Sequence, residues 1–245
     1  MSYQWNWAVF SLPTAVGDGS TYWSWMWSGF KMTVAVSLSA WVLALLIGSL
    51  MGVLRTVPSK GWRRVASAYV EVLRNIPLLV QLFIWYFIVP ELLPEAWGSA
   101  IKQLPPEVQQ LGAAILCLGL FTSARVCEQV RAGIQSLPVG QSRAALALGL
   151  SMPQTYRLVL LPMAFRLVVP PLTSEFLNTF KNSAVCSTIG LLELAAQGRQ
   201  LVDYTAQPYE SFIAVTVMYL VINVVVMGLM ALLERKVKVP GYMGS

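Results

Sequence analysis

The chemistry in this sequence is concentrated in one apolar stretch, where Glu175, Asn178 and Lys181-Asn182-Ser183 follow Pro170-Pro171. Ionisable groups inside a lipid-spanning segment are costly and usually face a bundle interior or a wet cavity. A helix broken near Lys181 would turn free backbone dipoles toward a bound polar solute. The expected passage is lined by Glu175, Lys181, Asn182, Ser183 and Thr188; the alternative is a buried network that ties helices together. A second polar group, Arg74, Asn75, Pro77 and Gln81, sits in an earlier apolar stretch and is expected on the same passage. There Glu71 and Arg74 are spaced to pair on one helix face. Pro77 either frees a carbonyl for Asn75 or Gln81 to serve or only kinks the helix.

Most catalytic chemistry is excluded. The chain has no histidine, the commonest general base and metal ligand. It has no G-x-x-x-x-G-K-[ST] phosphate loop, no zinc motif and no G-x-S-x-G turn, so neither bound ATP, a metal, a cofactor nor an enzyme activity of its own is expected. Cys117, Cys127 and Cys186 are odd in number and lie in or beside apolar runs, which suits buried, inert thiols without a disulfide framework.

The elements that must position these groups are membrane helices. Of 245 residues 56% are hydrophobic and 11% charged, and the mean hydropathy is +0.62, too apolar for an ordinary soluble domain. The net charge of +6 does not point to nucleic acid, because the cations gather between apolar runs as they do in cytoplasmic loops. Residues 1–29 lack the pattern of a secretory signal and carry Trp5, Trp7, Trp23, Trp25 and Trp27, which suits a periplasmic, interfacial segment. Five spans are expected over 30–54, 65–89, 108–136, 165–190 and 211–234, within a single transmembrane domain covering 1–245. Gly48 and Gly52 form a G-x-x-x-G suited to close helix contact. Arg55, Lys60, Arg63 and Arg64 follow the first span, and Arg235, Lys236 and Lys238 the last. This bias puts the amino terminus in the periplasm and the carboxyl terminus in the cytoplasm. Residues 90–110 and 195–210 read as outer connections.

Between the third and fourth spans, residues 138–163 form a polar, Ala-rich elbow on the same face as the cations. Ser142 to Leu148 suits a short helix, Gly149 a reversal, and Ser151 with Pro153 the start of a second helix. Ala144 and Ala145 keep one side shallow enough to enter a cleft on another protein; the plain alternative is an ordinary loop.

The elbow resembles the EAA loop of ATP-binding-cassette (ABC) import permeases, EAA-x3-G-x9-I-x-LP. The matching residues are Arg143-Ala144-Ala145, Gly149, Val159, Leu161 and Pro162, with Arg143 replacing the usual acidic residue. Glu71 to Gln81 is similar to the E-x-x-R-x-x-P-L-x-x-Q pattern of the polar amino-acid uptake permeases. The segments VPELLPE, CLGLFTSARVCEQVRAGIQSLP and LLERKVKVPG resemble the glutamate/aspartate branch of that family. The resemblance implies an all-α membrane protein of the type I ABC importer permease fold, in the bacterial inner membrane. It would carry glutamate or aspartate; another polar amino acid (glutamine, histidine or a basic one) is the alternative cargo, and an ion-coupled secondary transporter the alternative class. It also implies a second related permease, two ATPases that bind ATP and Mg²⁺, and a periplasmic binding protein. Arg143, Ala144, Ala145, Gly149, Leu150, Ser151, Pro153, Val159, Leu161 and Pro162 would then couple the chain to the ATPases.

Overall fold

A backbone in hydrocarbon can satisfy its amide groups only within itself, so the long uncharged stretches fold as helices. The computed structural model describes residues 3–17 and 19–237. Among them the order is a 3₁₀ turn (Trp7–Ser11), α1 (Tyr22–Leu54), α2 (Lys60–Asn75), α3 (Leu78–Phe83), a π turn (Ile84–Ile88), α4 (Val89–Leu92), α5 (Glu95–Lys102) and α6 (Pro106–Gln135). There follow α7 (Val139–Ala147), α8 (Met152–Thr155), a second π turn (Tyr156–Leu160), α9 (Leu161–Asn182), a 3₁₀ segment (Ser183–Ile189), α10 (Leu194–Thr205) and α11 (Pro208–Val237). No strand occurs among the described residues; Pro13 and Thr21 form one isolated bridge.

Four helical runs are long and apolar enough to cross a membrane: Tyr22–Leu54, Pro106–Gln135, Met152–Ile189 and Pro208–Val237. The expected second span is not one helix. It stops at Asn75, Ile76 is extended at φ −102°, ψ 127°, and α3 starts after Pro77, because proline pushes the residue before it out of the helical region. It makes a fifth span only if the broken pair is taken together. Other boundaries move too. Tyr22–Gly29, expected as interfacial, is already helical, and α9 starts at Leu161 rather than near Phe165. The expected connection at 195–210 is mostly α10, where a full helical turn of apolar and small residues outweighed the flanking polar ones. Lys238 lies outside the described residues.

The helices contribute to two compact units. The first comprises Met1–Ala40, Leu78–Leu118 and Thr179–Val225. Its core gathers Val36, Ala40, Leu82, Ala114, Cys117, Cys186 and Leu191, all nearly inaccessible. All three cysteines of the chain are free and buried. The tryptophan-rich start is tied down: the Tyr3 hydroxyl and the Asn6 N–H both donate to the Glu210 carboxylate, the latter at 2.6 Å. Glu210, expected on an exposed connection, is therefore fully buried, since a carboxylate enters the interior only with its oxygens bonded. Trp5 and Trp7 stack with ring centroids 5.8 Å apart.

The second unit comprises Trp41–Pro77, Gly119–Asn178 and Val226–Ser245. Here the G-x-x-x-G of α1 meets α6. A Cβ at Gly48 would fall 2.6 Å from both the Ser123 carbonyl oxygen and Val126, and one at Gly52 2.7 Å from Val130. Close backbone approach of this kind is what holds helices together where burial from water drives nothing. Gly48→Val is expected to destabilise the protein by about 1–3 kcal/mol through overpacking, seen as a lower thermal midpoint in detergent. Gly228→Ala, where a Cβ meets nothing within 4 Å, should leave that midpoint unchanged.

Candidate functional site

The elbow is built from local signals. At the end of α7 the Gly149 N–H donates to the Leu146 carbonyl at 3.0 Å and the Leu150 N–H to the Ala145 carbonyl at 3.2 Å. This is the paired closure of a Schellman motif, and it requires the left-handed φ of +84° found at Gly149. Ser151 then caps α8: its N–H donates to Gln154 Oε1 at 2.8 Å, half of a capping box, with Pro153 in the first turn. Ala145 is buried while Arg143, Ala144, Ser151, Pro153 and Pro162 are exposed, and Leu150, Val159 and Leu161 are half-buried. Leu148 at the tip is 84% exposed. The elbow is anchored from below: α7 and α8 pack on the second π turn, and the Tyr156 hydroxyl donates to Thr56 Oγ1 at 3.1 Å.

Within the same unit Glu128 gathers three cations. Arg55 hydrogen-bonds to its Oε1, Arg131 reaches Oε2 at 2.8 Å, and Arg74 lies 3.6 Å away. The expected partnership of Arg74 with Glu71 gives way to this one: Glu71 instead contributes its carbonyl, which accepts from Asn75 Nδ2 at 2.6 Å where α2 ends. Burial works against the charge of Arg55, but the hydrogen bond and charge of Glu128 hold its pKa above the ordinary value. Arg125 lies 3.8 Å from the half-buried Glu175 carboxylate. Four of the expected passage residues, Arg74, Asn75, Pro77 and Glu175, thus belong to this unit.

The other five, Gln81, Lys181, Asn182, Ser183 and Thr188, belong to the first unit. The helix changes character where the polar run ends: α9 stops at Asn182, and the 3₁₀ segment closes at Gly190 with φ +91°. Lys181 and Thr188 are exposed, Asn182 is half-buried, and Ser183 and Gln81 are buried. Ser183 donates to the Phe180 carbonyl at 2.7 Å, and Thr188 to that of Val185 at 2.7 Å. These hydroxyls thus serve carbonyls of their own segment. Helix α3, which carries Gln81, packs on that segment.

One residue central to this region was not singled out from the sequence. Glu193, fully buried, caps α10 by accepting from the Ala195 and Ala196 N–H groups at 3.0 and 2.8 Å. The Tyr219 hydroxyl donates to it at 2.7 Å, and Thr33 Oγ1 accepts from the Leu194 N–H at 3.1 Å. Glutamate is not among the preferred capping residues, and the surrounding GLLELAA reads as apolar, so the only signal was an acid three residues before an amide in need of a partner.

The chain belongs to the family of binding-protein-dependent transport system inner membrane components, which it matches over residues 44–239. Over 246 aligned residues, the whole of both chains, it is 54% identical to the glutamate/aspartate import permease protein GltJ of Escherichia coli K12. It is 32% identical to the glutamine transport system permease protein GlnP of the same organism, over 89% of this chain and 98% of that one. The solved structure of an amino acid ABC transporter with histidines superposes with a TM-score of 0.72 at 30% identity, covering 88% of this chain and 95% of that one. The inward-facing MetNI methionine ABC transporter gives 0.74 at 22% identity, over 88% and 97%, a likeness of fold. The fold is that of type I ABC importer permeases, and the protein is a multi-pass component of the inner membrane.

Glu128→Gln leaves Arg55 and Arg131 facing a neutral amide. It is expected to cost about 1.5–3 kcal/mol, the range of hydrogen bonds to charged groups, read as a lowered thermal midpoint of the purified protein. Arg74→Gln, at a guanidinium 55% exposed, should cost less than about 1 kcal/mol.

Proposed function

We propose that this chain is the transmembrane permease subunit of an ATP-driven importer of glutamate and aspartate. The observation that carries the substrate is identity of 54% along the entire length with a glutamate/aspartate permease, against 32% with a glutamine permease. In this reading the chain pairs with a second, related permease and two ATPase subunits that bind ATP and Mg²⁺. A periplasmic binding protein delivers the amino acid. The amino terminus faces the periplasm and the carboxyl terminus the cytoplasm, in keeping with the cations after α1 and at the end of α11.

The elbow is the mechanical input. Its two short helices are joined by a hydrogen-bonded reversal, and Leu148, Leu146 and Met152 present exposed apolar surface. Such a knob fits a cleft on one of the two ATPases, the second permease engaging the other. When ATP draws the ATPases together, a firmly held knob converts their closure into movement of the helices behind it, a shift of bodies about an interface. The run Met152–Ile189 connects the elbow along the chain to Lys181, Asn182, Ser183 and Thr188. In this reading these residues and Gln81 in the first unit, and Arg74, Asn75, Pro77 and Glu175 in the second, are the ones that meet the cargo. Lys181 supplies a cation for a carboxylate cargo.

ATP hydrolysis by the reconstituted complex, with the binding protein loaded by each amino acid in turn, tests the substrate. Glutamate and aspartate should stimulate most; greater stimulation by glutamine or histidine would overturn the assignment. Gly149→Val tests the elbow. It imposes roughly 1–2 kcal/mol of left-handed strain, enough to shift docking on the order of tenfold, so stimulated hydrolysis should fall while the permease still accumulates. Lys181→Ala should raise the glutamate concentration needed for half-maximal uptake in an assembled complex; unchanged uptake would assign Lys181 to helix packing alone.

A further inference from the structure

We propose that α2 holds an anionic phospholipid, with Lys60, Arg63 and Arg64 on its phosphate. At 100° per residue the helix has three faces. Ala66 and Val70 are buried, Val70 in a cluster with Ala124 and Cys127. A second face carries Trp62, Val65 and Val72, which are 56, 56 and 57% exposed. The third, opposite them, carries the three cations with Ser67 and Glu71 around an open concavity of about 520 Å³. Among the described residues none of the three cations forms an ion pair, and Glu71 is the one carboxylate at the concavity.

Each face asks for a different part of the same molecule. A helix with large uncovered apolar side chains on one face and cations on the face opposite has the pattern of one lying at the boundary between acyl chains and headgroups. Cations in the first two turns attract anionic headgroups, and the Ser67 hydroxyl adds a donor for a phosphate oxygen. An inorganic phosphate would meet the cations and leave Trp62, Val65 and Val72 against water. A membrane surface that contains anionic phospholipid covers both, its acyl region against the apolar face and a headgroup phosphate on the cations. The break after Asn75 favours this placement, because α2 is not compelled to continue as a straight spanning helix. The inference is independent of which amino acid is transported.

The test is native mass spectrometry of the permease, in the complex with which it purifies, titrated with phosphatidylglycerol, phosphatidylcholine or inorganic phosphate. Phosphatidylglycerol should be retained over phosphatidylcholine. Combined Lys60→Gln, Arg63→Gln and Arg64→Gln should weaken that retention on the order of a hundredfold, at several-fold per removed cation. Should the triple variant fail to accumulate, Arg64→Gln alone should give a several-fold loss. Trp62→Gln with Val65→Gln should weaken lipid binding and leave phosphate binding unchanged. Equal retention of the two lipids, an undiminished preference in the variants, or displacement of phosphatidylglycerol by equimolar phosphate would each overturn the proposal. So would loss of the co-purifying ATPase from the triple variant in lipid-free detergent, which would make this face a protein contact.

Discussion

The constraint on which the structure rests is that the first N–H groups and the last carbonyls of every helix need partners that the helix itself does not supply. One helix stop and two helix starts show three solutions. At Ala147 the chain folds back and the Gly149 and Leu150 amides close onto Leu146 and Ala145. At Ser151 a side chain from the next turn returns to the cap. At Glu193 a buried carboxylate takes two amides of α10 and the hydroxyl of Tyr219, while Thr33 takes the amide of Leu194. The third is the most costly to assemble, because a charge is withdrawn from water to do it. It lets a new helix begin at Leu194 after the 3₁₀ segment that follows α9.

Charge and shape divide the remaining work. Glu128 serves Arg131 one helical turn on and Arg55 and Arg74 from distant positions, so the three cations are organised around one carboxylate instead of spread as separate pairs. Glycine does the corresponding task for shape. The contacts of Gly48 and Gly52 with α6 bring two backbones together where dispersion is the available attraction. Polar and apolar contacts thus fix the same pair of helices, α1 and α6, from both ends of one short stretch.

Much of this was legible in the sequence. Gly149, Ser151 and Pro153 carry conformational preferences strong enough to act alone, so the elbow was readable residue by residue. The apolar runs that became α1, α6 and α11 were equally plain, because composition over twenty residues decides whether a segment enters lipid. What stayed hidden depended on partners distant in the chain. Arg74 looked outward from its neighbours to Glu71, but its carboxylate came from α6. Glu210 read as a loop acid, and its burial required Tyr3 and Asn6 from the other end of the chain. Glu193 gave almost no local signal, since glutamate is a poor cap by type and the Tyr219 hydroxyl that joins its carboxylate comes from α11. Pro77 was recognised, yet its effect was larger than a kink, because Ile76 beside it left the helix as well.

The placement of the thiols has a practical side. Cys117, Cys127 and Cys186 are all enclosed, and a maleimide reacts only with a sulfur it can reach. The native chain is therefore a quiet background for site-directed labelling. A cysteine introduced at the bare tip of the elbow, in place of Leu148, would take a fluorophore or spin probe selectively. Its spectrum would then register the arrival and departure of whatever grips that tip.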